Sequence, residues 1–309
     1  MDFSRIASAI DIEWMQAATI SIIGAGGSAG LAASLVRSGG RRFKLFDPDV
    51  VTSSNIARQA HDTVQLGIPK VEALANMLRR INPLVEIETY DDDPTTWPVD
   101  EIALVLGSSN LLINATDRFT AHAWGNTVAL RFGIPALWVG LYPCGLAGEV
   151  IWWNESIDAC YRCLCAKRYS AHAQATASGK SLDPVSDGCT IFDISLLDSI
   201  AGMIAVGLIT RGADNRFGRM IDELGNRNFI QIQLDSSWSH AGRNPIRELL
   251  GVAHDNSHYF AWNSIVRADP DQGRLPCPDC ERFRGHDFGS VDGVPTRLKP
   301  IEGEGGGHA

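Results

Sequence analysis

Residues 18–30 run Ala18-Thr-Ile-Ser-Ile-Ile23 straight into Gly24-Ala-Gly-Gly-Ser-Ala-Gly30. The first half is a short β-branched run of the buried-strand kind, and a helical stretch follows the second half to about Arg37. Between them, Gly24-x-Gly26-x-x-Ala29 has the spacing of a phosphate-binding turn. Gly24 permits the tight turn, Gly26 lets the backbone approach a phosphate, and the small Ala29 lets the helix pack on the strand. The helix N-terminus then turns N–H groups and a positive dipole end toward an anion. A glycine-rich turn that holds no ligand satisfies the same pattern, so this stretch decides the fold before it decides any chemistry.

Working outward, residues 6–16 form a helix-like lead. Residues 43–46 read as a second strand ending at Asp47, 71–80 as a helix, and 85–89 as a third strand. Residues 111–114 are a fourth strand closed by Ala115-Thr-Asp117, 119–132 a helix, and 135–139 a fifth strand. Strands and helices alternating at these lengths give an α/β fold, a doubly wound Rossmann-like sheet with helices on both faces. After Gly140 the pattern changes. Residues 147–153 read as a strand ending in a Trp pair, and 166–187, rich in Ala, Ser, Gln and Gly, as a mobile crossover loop. Residues 190–210 read as a long apolar helix and 228–234 as a strand. The expected organisation is a Rossmann-like part over 1–150, and a crossover loop, long helix and C-terminal part of the same domain over 151–285. A flexible tail over 286–309 completes it.

The chain has 309 residues and a formal net charge of −9, which argues against a broad nucleic-acid or anionic-membrane surface. Its 45% hydrophobic and 20% charged residues suit a globular chain with a sizeable core. No apolar run is read as reaching the roughly 18–20 residues of a membrane span. Asp2, Asp11 and Glu13 near the N-terminus do not fit a secretory leader, so the expected compartment is the cytoplasm. Seven cysteines there point to metal ligands, catalysts or core filler before disulfides.

Asp47 stands where a carboxylate can accept hydrogen bonds from ribose hydroxyls. A basic pair follows, Arg58 as a planar fork and Lys70 as a point charge, suited to the β- and γ-phosphates of a nucleoside triphosphate. Asp117, after the fourth strand, lies where Mg²⁺ can be held by one carboxylate and phosphate oxygens. The strings Gly24-Ala-Gly-Gly27, Asp47-Pro-Asp-Val-Val-Thr-Ser-Ser-Asn-Ile-Ala-Arg-Gln59, Gly67-Ile-Pro-Lys70, Arg80-Ile-Asn-Pro83, Ala115-Thr-Asp117 and Gly133-Ile-Pro135 together resemble the ThiF/MoeB/HesA superfamily, which includes ubiquitin-activating enzymes. The resemblance covers most of residues 18–213. It implies a domain that adenylates the C-terminal carboxylate of a small protein or peptide. It implies an ATP site built from Gly24, Gly26, Gly27, Asp47, Asp49, Asn55, Arg58, Gln59, Lys70 and Asp117. Asp47 would bind ribose, Asn55, Arg58 and Lys70 phosphates, and Asp117 magnesium, with Arg58, Lys70 and Asp117 also taking part in catalysis. A homodimer is the family expectation. The lead Ser4-Arg5-Ile-Ala-Ser lacks the Arg-Tyr-x-Arg-Gln segment that in many members reaches the partner's ATP, which weakens that expectation.

Cys160-Tyr-Arg-Cys163 and Cys277-Pro-Asp-Cys280 are two C-x2-C pairs. Four thiolates can close a tetrahedral structural Zn²⁺ site that staples the C-terminal segment onto the sheet domain; four reduced core cysteines are the plain alternative. The family carries the same pairing. Cys189, in Asp187-Gly-Cys-Thr190, is read at the start of the long helix, where the dipole lowers a thiol's pKa. It is the candidate acceptor of an acyl group as a thioester, against a reading as a small buried hydrophobe. Cys165 is a weaker candidate and Cys144 is read as structural. Trp152 and Trp153 are either core or a wall of the substrate's path. Asp91-Asp-Asp93 is read as a solvated turn, and the histidines form no ligand set.

The leading expectation is therefore adenylation of a ubiquitin-like protein ending in glycine, thioester formation on Cys189, and transfer to a ubiquitin-conjugating-type carrier. The alternative stops at the adenylate, as in activation of a sulfur-carrier protein or peptide. A non-catalytic scaffold subunit and a nicotinamide oxidoreductase are disfavoured by the retained set Asp47, Arg58, Lys70 and Asp117. No nucleic-acid or membrane partner is expected.

Overall fold

A computed structural model describes residues 1–183, 187–235, 237–239, 243, 262–265 (backbone only) and 277–285. The expected tail over 286–309 lies outside them. One eight-stranded sheet has the order β3-β2-β1-β4-β5-β6-β7-β8. Its strands are β1 Thr19–Ile23, β2 Arg42–Phe46, β3 Glu86–Tyr90, β4 Leu111–Asn114, β5 Ala136–Leu141, β6 Ala147–Trp153, β7 Phe229–Gln233 and β8 Trp262–Ile265. β1 to β5 pair in parallel, while β5–β6, β6–β7 and β7–β8 are antiparallel. All four residues of β4 are buried, and so are Ile20 to Ile23, as parallel strands covered on both faces require. The sheet runs through the 150/151 position, because β6 spans it.

The helices are α1 Ile12–Ala17, α2 Ala29–Arg37, α3 Ser53–Ile56, α4 Lys70–Ile81, α5 Val99–Leu106 and α6 Phe119–Phe132. They continue with α7 Tyr161–Leu164, α8 Ala166–Ala177, α9 Ile191–Ile209, α10 Arg216–Leu224 and α11 Pro278–Phe283. Gly148 and Glu149 are successive residues of β6. A Cβ on Gly148 would touch Leu197 of α9, whereas Glu149 bonds Arg168 of α8. Successive strand side chains point to opposite faces, so α9 and α8 cover opposite faces of the sheet. α9 packs against α2, α10, β5 and β6. Trp152 and Trp153 are core residues, fully buried, with Trp153 Nε1 donating to Ile157 O at 3.1 Å.

Two expectations fail here. Residues 166–177 are a helix, not a loop. Five alanines supply its helix propensity, and contacts with other elements hold it: Arg168 pairs with Glu149, and Tyr169 meets Tyr161 and Phe119. α9 is also 19 residues long with mean hydropathy 1.8, long and apolar enough to cross a membrane. Half of it is buried inside the protein, as expected of a core helix that passes the same test.

Candidate active site

Gly24 takes φ +96°, and a Cβ there would come within 2.6 Å of Ala115 O, so only glycine lets β1 turn this close to the end of β4. Ser28 Oγ donates back to Gly24 O and fixes the turn. The next residue is tied across the sheet: Ala25 N–H donates to Asp47 Oδ2 at 2.8 Å, and Asp49 N–H to Asp47 Oδ1 at 2.9 Å. Lys70, the first residue of α4, places Nζ 2.7 Å from Asp49 Oδ2 and 3.9 Å from Asp47 Oδ1. Burial raises the Asp47 carboxyl's pKa, and Lys70 and the two N–H groups oppose it. Each Asp47 oxygen keeps a second lone pair for an incoming hydroxyl.

These groups line a cavity of about 760 Å³. It opens at the carboxyl ends of β1, β2 and β4, where the strand order reverses between β1 and β4, the usual ligand position of an open α/β sheet. The wall gathers Gly24, Gly26, Gly27, Asp47, Asp49, Asn55, Arg58, Gln59, Lys70 and Asp117, the expected nucleotide set, together with Cys189. Asn55 closes a capping box at the start of α3, accepting Thr52 N–H on Oδ1 at 3.0 Å, which leaves its amide N–H groups as donors. Gln59 lies against Gly26, where a Cβ would sit 2.8 Å from its Nε2. Asp117 is exposed at the mouth. Asp93 departs from expectation. It caps a short 3₁₀ turn, pairs with Arg118 at 2.7 Å and also lines the cavity, because the chain after β3 folds back over the strand ends.

A second polar group at the far side of the cavity escaped sequence reasoning. Glu149 of β6 is buried. Arg168 binds it in bidentate fashion (2.7 and 3.0 Å), and Tyr142 Oη donates to it at 2.6 Å. Arg168 also reaches Tyr161 Oη at 2.9 Å, which lies 3.3 Å from His122 Nδ1. Burial pushes the His122 imidazole down to about 4, so it is neutral at physiological pH. The one signal in the sequence was a lone carboxylate inside the apolar run of residues 147–153.

A family model, described as the ThiF family, matches residues 3–224. The chain belongs to the ThiF family. Ubiquitin-like modifier-activating enzyme 5 of Bombyx mori is 27% identical over 172 residues, 53% of this chain and 44% of that relative. The adenylyltransferase and sulfurtransferase UBA4 of Meyerozyma guilliermondii is 28% identical over 199 residues, 63% of this chain and 44% of the relative. The chain thus spans about half the length of the curated relatives it matches. The crystal structure of E. coli MccB with AMPCPP and MccA superposes with a TM-score of 0.56 at 16% identity, covering 76% of this chain and 66% of that one, and it shares the fold.

In this ThiF-family chain Cys189 is half-buried and lines the cavity, but it is not activated as expected. Burial pushes its thiol up, the Asp193 carboxylate adds to that, and a backbone hydrogen bond at Gly145 and the Arg58 charge pull the other way. The reason is local. Thr190 is the N-cap of α9, and its backbone N–H and Oγ1 both donate to Asp193 Oδ2, at 2.7 and 2.8 Å. A carboxylate already sits on the helix end that would have lowered the thiol's pKa. Cys165 is buried, and its thiol is pushed up to about 12.

Cys160, Cys163, Cys277 and Cys280 come together, their sulfurs within 4.8 Å of one another. Each pair opens a short helix: Cys160 is the N-cap of α7 and Cys277 that of α11, where Pro278 suits the first turn. Sulfur separations of 3.8, 3.5 and 3.8 Å match the edge of roughly 3.8 Å of a tetrahedron with metal–sulfur bonds of about 2.3 Å. Asp279 binds Asn126 Nδ2 at 2.8 Å and pairs with Arg162, which seats α11 on α6.

Asp198 of α9 also lines the cavity and accepts Leu31 N–H at 3.0 Å in the first turn of α2, behind the glycine turn. Burial pushes its carboxyl up to about 7. The folded state therefore holds this proton more tightly than the unfolded chain, and stability falls as pH rises from about 4 to about 7. Asp198→Asn keeps the acceptor and removes that slope. Denaturant unfolding is expected to find the variant more stable by roughly 2–4 kcal/mol at pH 8 and equal to the parent near pH 4. Equal stability at both pH values contradicts this.

Proposed function

We propose that this chain is an ATP-dependent adenylyltransferase acting on the C-terminal carboxylate of a ubiquitin-like or sulfur-carrier small protein with a C-terminal glycine. The observation that carries the reading is the convergence of Asp47, Asn55, Arg58, Lys70 and Asp117 on one cavity at the switch point of a ThiF-family sheet. The names of the relatives, an activating enzyme and an adenylyltransferase, support the same activity.

Asp47 accepts from the ribose hydroxyls on the lone pairs that Ala25 and Asp49 leave. Asn55 and Arg58 donate to the phosphates. Lys70 exchanges its Asp49 partner for a phosphate oxygen. Asp117 holds Mg²⁺, which supplies charge neutralisation on the phosphates when bound. The substrate carboxylate oxygen attacks the α-phosphorus in line, a new P–O bond forms, and the bond to pyrophosphate breaks. Arg58 and Lys70 stabilise the charge that builds on the departing oxygens.

In the fuller reading Cys189 then attacks the acyl carbon as a thiolate, AMP leaves, and the thioester passes to a ubiquitin-conjugating-type carrier. A second reading stops at the adenylate, with sulfur or an amine as the acceptor. The raised pKa of Cys189 and its Thr190–Asp193 cap favour this one in the conformation described. A homodimer belongs to the proposal on family grounds. The four cysteines hold a structural Zn²⁺, since four thiolates leave no open position for catalysis.

ATP–pyrophosphate exchange is measured with candidate proteins ending in glycine, for the parent, Lys70→Ala, Asp117→Asn and Cys189→Ala. Exchange is expected in the parent and about 100-fold lower in the first two variants. Exchange equal to the parent in both removes the proposed site. Cys189→Ala is expected to exchange normally. A thiol-sensitive adduct of substrate mass in the parent, absent in Cys189→Ala, selects the thioester route, and exchange without any adduct selects the second. Elemental analysis is expected to give one zinc per chain, lost in Cys277→Ser.

A further inference from the structure

Cys144 is the one non-glycine residue with positive φ among the described residues, at 61°. It lies in the turn between β5 and β6, outside the cavity wall, and its side chain is exposed. Holding a cysteine in the left-handed region is costly, and the neighbouring chain explains why it stays there. The 187–189 segment runs against this turn. Cys144 N–H donates to Asp187 O at 3.1 Å. A Cβ on Gly188 would fall 2.9 Å from Cys144 Cα and 3.3 Å from Cys144 Cβ, and one on Gly145 would fall 3.4 Å from Cys189 Cα. Gly145 and Gly188 both have positive φ, and their lack of side chains permits this approach.

Residue 144 thus stands across from 188, and 145 across from 189. With consecutive Cα atoms about 3.8 Å apart, the diagonal between the Cα atoms of Cys144 and Cys189 is roughly 6 Å. That falls within the range of about 4.4–6.8 Å that a disulfide spans. Cys189 Sγ also lies 3.9 Å from Asp187 O, the carbonyl that binds Cys144 N–H.

We propose that Cys144 and Cys189 are a thiol pair that closes to an intramolecular disulfide when a low-molecular-weight disulfide such as oxidised glutathione is present. The exposed Cys144 thiolate attacks one sulfur of the oxidant. The oxidant's S–S bond breaks, and one glutathione thiolate leaves and takes up a proton. The Cys189 thiolate then attacks the Cys144 sulfur, the mixed disulfide breaks, and the second glutathione leaves. Two cysteine thiols lose two electrons and two protons, and glutathione disulfide gains them as two thiols. The half-buried Cys189 is the resolving partner, since the exposed Cys144 is the sulfur that the oxidant reaches first. The closed form ties the start of α9 to the β5–β6 turn and removes the Cys189 thiol from the cavity. The disulfide stands whether or not Cys189 forms a thioester; its effect on acyl transfer rests on that reading.

The full chain is equilibrated with glutathione redox buffers, trapped with N-ethylmaleimide and mapped by non-reducing peptide mass spectrometry, with fragmentation to separate Cys144 from Cys160. The expected product in the parent is a Cys144–Cys189 cross-link within one chain, reversed by dithiothreitol. In Cys189→Ser, glutathione is expected to accumulate on Cys144 at least ten-fold above the parent. A parent that carries glutathione on Cys144 beside an alkylated Cys189 overturns the proposal. So does a cross-link between two chains, or no oxidation of either cysteine.

Discussion

The buried carboxylate of Asp47 is the constraint on which the site depends. It directly follows β2, accepts the N–H of Ala25 from the turn after β1, accepts that of Asp49 from its own turn, and faces Lys70 at the start of α4. A buried charge left without partners costs several kcal/mol, so these three segments cannot drift independently. Gly24 performs the matching task against Ala115, at the end of β4. Together they fix the two walls of the switch point, and Arg58 just after α3, Lys70 at the start of α4 and the Asp117 carboxylate follow from the positions of those walls.

The sheet face of this design was legible in the sequence because it is local. β1 and β4 are short, mainly apolar runs closed by Gly24 and by Ala115-Thr-Asp117, and burial on both faces favours that composition. That Asp47, Arg58, Lys70 and Asp117 meet in one cavity was legible through their spacing around those strand ends. α8 was not. Its sequence lacks an apolar stripe, and the contacts that hold it come from Glu149, Tyr161 and Phe119, all outside the helix. Glu149 was visible only as a carboxylate out of place in an apolar strand. The state of Cys189 was misread although its cause was in plain view: Thr190-Ile-Phe-Asp193 is a capping box, and Asp193 occupies the helix end credited to the thiol.

α9 connects the parts. Cys189 precedes its first turn beside the β5–β6 turn, Asp198 bonds the first turn of α2 from its middle, and its apolar length fills the space under β5 and β6. The first turn of α2, behind the glycine turn, is therefore one hydrogen bond away from the helix that Cys189 precedes. On the other face, Arg168 draws α8 onto β6, and the cysteine cluster clamps α7 and α11 together beside α6. The cavity lies between the glycine-turn end, tied together by Asp47 and Lys70, and a far end held by the Arg168–Glu149 pair.

The central claim is that a substrate carboxylate oxygen attacks the α-phosphorus of ATP in this cavity. It is tested most directly by labelling the substrate's C-terminal carboxylate with oxygen-18, running the reaction with Mg·ATP and an acceptor thiol or amine, and analysing the released nucleotide by mass spectrometry. Adenylation predicts AMP carrying one oxygen-18, with unlabelled pyrophosphate. Label recovered in orthophosphate alongside ADP, or AMP without label, contradicts it.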